Sequence, residues 1–151
     1  MGLRRKSREL ALQTLYSIEF IEKLDMDAKD LLEPYKEKFY EIVENSDHKV
    51  NNAIEEFALS LIKAVLENKE DIDNKIQGHL INWTVENIAN LDKTILRLGI
   101  AEMIYIRTPY PVVINEAVEI TKRYSSDSSA KFINGILDAI KKELENEKTA
   151  G

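Results

Sequence analysis

The chain has 151 residues, 44% hydrophobic and 32% charged, a balance that fits one soluble globular unit with its own apolar core. It has no cysteine, which excludes disulfides, thiolate metal sites and cysteine nucleophiles, and no apolar run approaches the ~18 residues that would span a bilayer. The net charge of −6 is unevenly spread: residues 1–8 carry four Lys/Arg and no acid, leaving 17 basic against 27 acidic residues, a net of −10, for the rest.

The predicted elements are seven helices, and the fold class is all-α. The first begins in Leu3-Arg4-Arg5-Lys6-Ser7-Arg8 and continues through Tyr16. Helix starts carry partial positive charge and favour Asp or Glu, so four cations there are electrostatically unfavourable. On a helical wheel Arg4 and Arg8 fall within about 40° of each other, and Ala11, Leu15 and Ile18 continue on that side. Charges and core then share a face, which predicts that the first turn overhangs its bundle or lies at a rim. Because the start runs into Glu9, Gln13 and Glu19, it is no signal peptide, and a cytoplasmic protein is expected.

Leu32, Tyr35, Phe39, Ile42 and Val43 predict the second helix, with Pro34 near its first turn. A polar connector, Asn45 to Lys49, holds His48. Ile54, Phe57, Ala58, Leu61 and Val65 predict the third helix, and Ile72, Ile76, Leu80 and Trp83 the fourth, with His79 on its apolar side. The fifth is expected from a cap at Asn90 to about Arg107, where Thr108-Pro109 ends it. Apolar almost all round, it should be central, and Gly99 in its middle predicts the close approach of another helix. Ile114, Ala117, Val118 and Thr121 carry the sixth to Tyr124. Ser125-Ser126-Asp127-Ser128-Ser129 offers N-cap material for the seventh, whose stripe is Ile133, Ile136, Leu137, Ile140 and Leu144. The tail from Glu145 has no apolar anchor and is expected to fray.

No catalytic constellation is legible. Neither histidine has metal-ligand spacing, and His79 reads as a core or boundary histidine. Five scattered glycines form no phosphate-cradling loop, and no G-x-S-x-G surrounds the serines. No enzyme activity, cofactor or metal is expected. The basic start reads either as a solvated terminus or as the site of an external polyanion, for which nucleic-acid phosphates are the obvious candidates. Tyr16 and Phe132 read either as boundary packing or as platforms for splayed bases, Phe132 beside the outward-facing Lys131.

Three stretches, "RRKSRELALQTLY", "LDKTILRLGIAEM" and "VINEAVEITKRYSSDSSAKFINGILD", resemble the NusB family over nearly the whole chain. The resemblance implies two packed three-helix-type bundles in one RNA-binding domain, 1–151, with halves of about 1–68 and 69–146. It implies a factor that binds boxA RNA jointly with the ribosomal protein NusE within the RNA polymerase antitermination complex, acting in ribosomal RNA transcription without catalysis. The family's arginine-rich motif falls on Arg4, Arg5, Lys6 and Arg8, its first-helix aromatic on Tyr16, and its Lys-Phe pair on Lys131 and Phe132, expected beside the first helix's tip. Asn134 and Gly135 follow, read as a local hydrogen bond and as close helix packing. Glu86 and Asp92 match acids that face NusE. The chain departs from the family at Ser125, Ser126 and Ser128, where a glycine or an acid is common. Two other readings stand beside this one: a homodimerising protein-interaction module, and the RNA-binding accessory domain of an rRNA methyltransferase, which would make the chain part of a longer enzyme.

Overall fold

The computed structural model describes residues 2–22, 35–46 and 50–150. His48, and the Leu32 and Pro34 expected in the second helix, lie outside the described residues. Seven α-helices and no strand occur among the described residues: α1 (Gly2–Glu22), α2 (Tyr35–Glu44), α3 (Asn52–Glu67), α4 (Lys69–Gln77), α5 (Asn90–Ala101), α6 (Tyr110–Tyr124) and α7 (Asp127–Ala150). The chain divides into two compact units, Met1–Glu67 and Asn68–Gly151.

In the first unit α1 packs on α2 and α3. Leu10, Ala11, Leu15 and Ile18 of α1 recur at helical spacing and are buried, as are Phe39 of α2 and Ile54, Leu61 and Ile62 of α3. Each large side chain removed from water here contributes about 1.5–3 kcal/mol. Among the contacts tying α2 to α3 is a hydrogen bond from the exposed Tyr40 hydroxyl to Glu55 Oε1.

In the second unit α5 is central, with Asp92 through Met103 buried without interruption and α4, α6 and α7 packed around it. The predicted stripe of α7 is buried in full, whereas the buried side of α6 is Val113, Ala117, Ile120 and Thr121, shifted by one position at its start. The buried Arg97 of α5 forms a two-pronged bond to Asp73 of α4, at 2.8 and 2.9 Å. At Gly99 a Cβ would meet the two terminal methyls of Leu137 at 3.2 Å, so the close neighbour is a side chain of α7 rather than a helix backbone.

Three boundaries differ from those predicted. α4 ends at Gln77, leaving Leu80 and Trp83 in a turn. The N-cap of α5 is Ala89, with Asn90 the first helical residue. Past Ala101 the helix widens into a π-helical turn, Glu102–Ile106, closed by Arg107 in the left-handed region (φ 64°, ψ 37°) and by a bond from Thr108 N–H to Glu102 O. α7 runs through the tail to Ala150. Lys148 in its last turn suits the negative end of the helix dipole, and its ammonium lies 4.9 Å from the centre of the Tyr110 ring.

Candidate nucleic-acid interface

No acid occupies the first turn of α1, so the cations there face the positive end of the helix dipole. The ring of Phe57 on α3 answers part of that cost: the guanidinium carbon of Arg4 lies 4.4 Å from its centroid and that of Arg8 5.5 Å. Ser7 between them donates a buried hydrogen bond to Ile54 O at 3.0 Å, fixing the first turns of α1 to the start of α3. The expected overhang is realised for Arg4, which is exposed, but not for Arg8, which is only 7% exposed. A guanidinium is weakly hydrated, and its stem is apolar, so a ring face in a low-dielectric setting holds it where an ammonium would be costly. Arg5 and Lys6 are half-buried, and Tyr16 is exposed. Phe57 was legible in the sequence only as a core position.

The second unit presents a different surface. Lys131 is exposed and has no ion pair among the described residues, and Phe132 beside it is half-buried. Sequence reasoning missed a third member, Trp83, which is 52% exposed with its ring centroid 6.4 Å from that of Phe132 at an interplanar angle of 48°. Its loop is pinned from both sides by one amide: Gln77 Nε2 donates to Trp83 O at 2.8 Å, and Gln77 Oε1 accepts from Val85 N–H at 3.0 Å. Asn82 before it takes a left-handed conformation (φ 60°), which asparagine tolerates better than most residues. Gly78 directly after Gln77 was the available signal that the helix stops short of the tryptophan.

Asn134 and Gly135 do not play the parts expected of them. The Asn134 side chain is exposed without a hydrogen bond among the described residues, and a Cβ at Gly135 would meet nothing within 4 Å. Asn134 instead lines a groove of about 560 Å³ with Val118, Lys122, Asp127, Ala130 and Lys131.

The two candidate partner acids separate. Glu86 is exposed on a single 3-10 turn, Val85–Asn87, whose preceding Thr84 backbone N–H and hydroxyl both donate to Asn87 Oδ1. Asp92 is only 8% exposed, in the first turn of α5, where the helix dipole favours its charge. Its Oδ2 accepts from Ser129 Oγ at 2.8 Å, and its Oδ1 is buried with no hydrogen-bond partner. Asp92 therefore joins the serine loop to the central helix rather than facing outward. The capping expected of the serines is met by Ser126, whose Oγ accepts from Ser129 N–H at 3.0 Å. His79 is half-buried, with its Nε2 2.7 Å from Glu143 Oε2 of α7. Among the described residues no group of three His, Asp or Glu side chains could hold a metal, and no helix is long and apolar enough to cross a membrane.

An all-helical chain with a basic, acid-free first turn and a Lys-Phe pair at the start of its last helix matches the sequence model of the NusB family over residues 5–142. The chain belongs to the NusB family. It is 40% identical over 146 residues to the transcription antitermination protein NusB of Nitratiruptor sp., covering 97% of this chain and 96% of that one. Its fold is similar to that of T. maritima NusB, at 33% identity and a TM-score of 0.78, covering 93% of this chain and 91% of that one. It is similar as well to a chain in a crystal structure of antitermination factors NusB and NusE in complex with dsRNA, at 29% identity and a TM-score of 0.79, covering 95% of this chain and 98% of that one.

Proposed function

We propose that this NusB-family protein is an antitermination factor that binds boxA-containing RNA together with the ribosomal protein NusE, as part of the RNA polymerase antitermination complex, in the bacterial cytoplasm. It works by binding, not by catalysis, in keeping with its family. Arg4, Arg5 and Lys6 on the first unit and Lys131 on the second contact phosphates; Tyr16 and Phe132 meet bases. Arg8 holds the Phe57 ring that orients Arg4. Glu86 faces the basic ribosomal partner, and Asp92 supports that surface from inside.

The observation that carries this reading is the likeness to a NusB chain solved with NusE and RNA. It is supported by an accessible cation, with no ion pair among the described residues, beside a pair of aromatic rings, a combination suited to single-stranded RNA. A gel shift with boxA RNA, with and without purified NusE, tests it. NusE is expected to tighten binding, and an Arg4/Arg5/Lys6→Ala variant to weaken it at every RNA sequence tried. Binding unchanged by NusE and by that variant overturns the reading.

A further inference from the structure

Among the described residues nothing accounts for a glycine at position 135. It sits inside the 24-residue helix α7, where glycine is less favourable than alanine by about 1 kcal/mol. Its φ is not positive, and an added Cβ would find open space. Neither backbone conformation nor packing among the described residues demands the missing side chain, and the open space leaves room for something outside the chain to come close to the helix backbone.

The surroundings indicate what that is. Lys131 and Phe132 lie four and three residues before Gly135, on the same outer face of α7. On one flank of that face Phe132 meets Trp83; on the other lies the groove of Lys122, Asp127, Lys131 and Asn134. The helix crest thus separates an aromatic step from a polar channel, with a cation on top and no side chain at 135 to obstruct the way across.

We infer that a single RNA strand crosses α7 at Gly135, with one base stacked on the exposed indole of Trp83 against the edge of Phe132, its phosphate at Lys131, and the adjoining nucleotide in the Lys122–Asn134 groove. This rests on the RNA-binding reading above and adds to it Trp83, Gly135, Lys122 and Asn134. Trp83 suits a base because it is exposed yet held in place: the Gln77 clamp fixes its backbone before any ligand arrives, so little ordering cost accompanies stacking. The Asn134 amide and the Asp127 carboxylate offer a donor and acceptors for base edges and sugar hydroxyls. An apolar protein segment fits less well, because covering the crest with it would strip water from the exposed Lys131 ammonium. The 85% exposed Ile81 near Trp83 is the one feature that suits a protein partner better, and the experiment separates the two.

Trp83 is the chain's single tryptophan, so 5-fluorotryptophan labels this site and no other. The full chain so labelled is titrated with a boxA-containing single-stranded RNA and, separately, with NusE, while the ¹⁹F resonance is followed. The RNA is expected to shift the resonance. Trp83→Ala should weaken RNA binding about tenfold, with Trp83→Phe restoring much of the loss. Gly135→Ala should raise the melting temperature yet weaken RNA binding, and Gly135→Leu should weaken it further; a purely structural glycine would give no such opposition. A resonance unmoved by RNA that binds, with full affinity in Trp83→Ala and Gly135→Leu, overturns the crossing and leaves the RNA-binding reading standing. A resonance moved by NusE alone and not by RNA makes the face a protein interface and overturns the crossing too. Failure of the unaltered protein to bind RNA, with or without NusE, overturns both.

Discussion

The first turns of α1 and the first turns of α7 both carry the cations expected to meet RNA, yet the two regions treat charge in opposite ways. In the first unit Arg4 and Arg8 share the Phe57 ring, and Arg8 is withdrawn from solvent. In the second unit Lys131 stands exposed, with no ion pair among the described residues, beside the half-buried Phe132 and the exposed Trp83. The number of cations in a motif is therefore a poor measure of the charge a ligand can reach: burial and a ring face turn one of the four basic residues of the α1 start into a structural part.

The sharpest way to break this contrast is to remove the ring. Phe57→Ala should destabilise the protein by about 3 kcal/mol in denaturant unfolding, since it opens a gap beneath two guanidinium groups as well as losing apolar contact. An effect under ~1 kcal/mol would mean that the ring does not hold the arginines. Next in size, Arg8→Ala should cost about 2 kcal/mol of stability, whereas Lys131→Ala should stay within ~0.5 kcal/mol. Equal effects would erase the distinction between a sequestered and an available cation.

Within the second unit, Ser129→Ala should cost about 1–2 kcal/mol, because it leaves the buried Asp92 carboxylate without its hydrogen bond. In an Asp92→Ala background the same change should cost much less, and a double-mutant cycle reads the difference. Smallest is the effect of Tyr40, an exposed group that the first unit nevertheless engages. Its hydrogen bond to Glu55, with minor help from burial and the Glu55 charge, raises its pKa above the ordinary 10.0. The bond favours the neutral phenol, so its contribution to stability is complete below pH 10 and is lost as pH rises through the raised folded value. Ultraviolet titration should find Glu55→Gln lowering the Tyr40 midpoint toward the ordinary value; no movement would show that the bond does not form.

Much of the fold was legible because helices declare their buried sides by spacing. The stripe of α7 and the all-round apolar character of α5 follow from which residues recur every three to four positions, and the structure buries them accordingly. Spacing failed where a helix stops. Ile72, Ile76, Leu80 and Trp83 keep helical period, but the chain turns after Gln77, and the tryptophan taken for core lies in a pinned loop at the surface. The periodic pattern says nothing of what a neighbouring helix brings, so the ring that draws in Arg8 and the serine that draws in Asp92 were invisible, each 37 or more residues away along the chain. The same blindness misplaced Gly135, assigned to close packing at a position where no described residue would meet an added Cβ.

The most direct measurement is the salt dependence of boxA RNA binding in the presence of NusE. Each phosphate contact on a single strand contributes about 0.7 to the slope of log affinity against log salt. If reachable cations carry the binding, Lys131→Ala should reduce the slope by about 0.7 and Arg4/Arg5/Lys6→Ala by about 2, while Arg8→Ala leaves it unchanged. A slope reduced by Arg8→Ala but untouched by Lys131→Ala would contradict it.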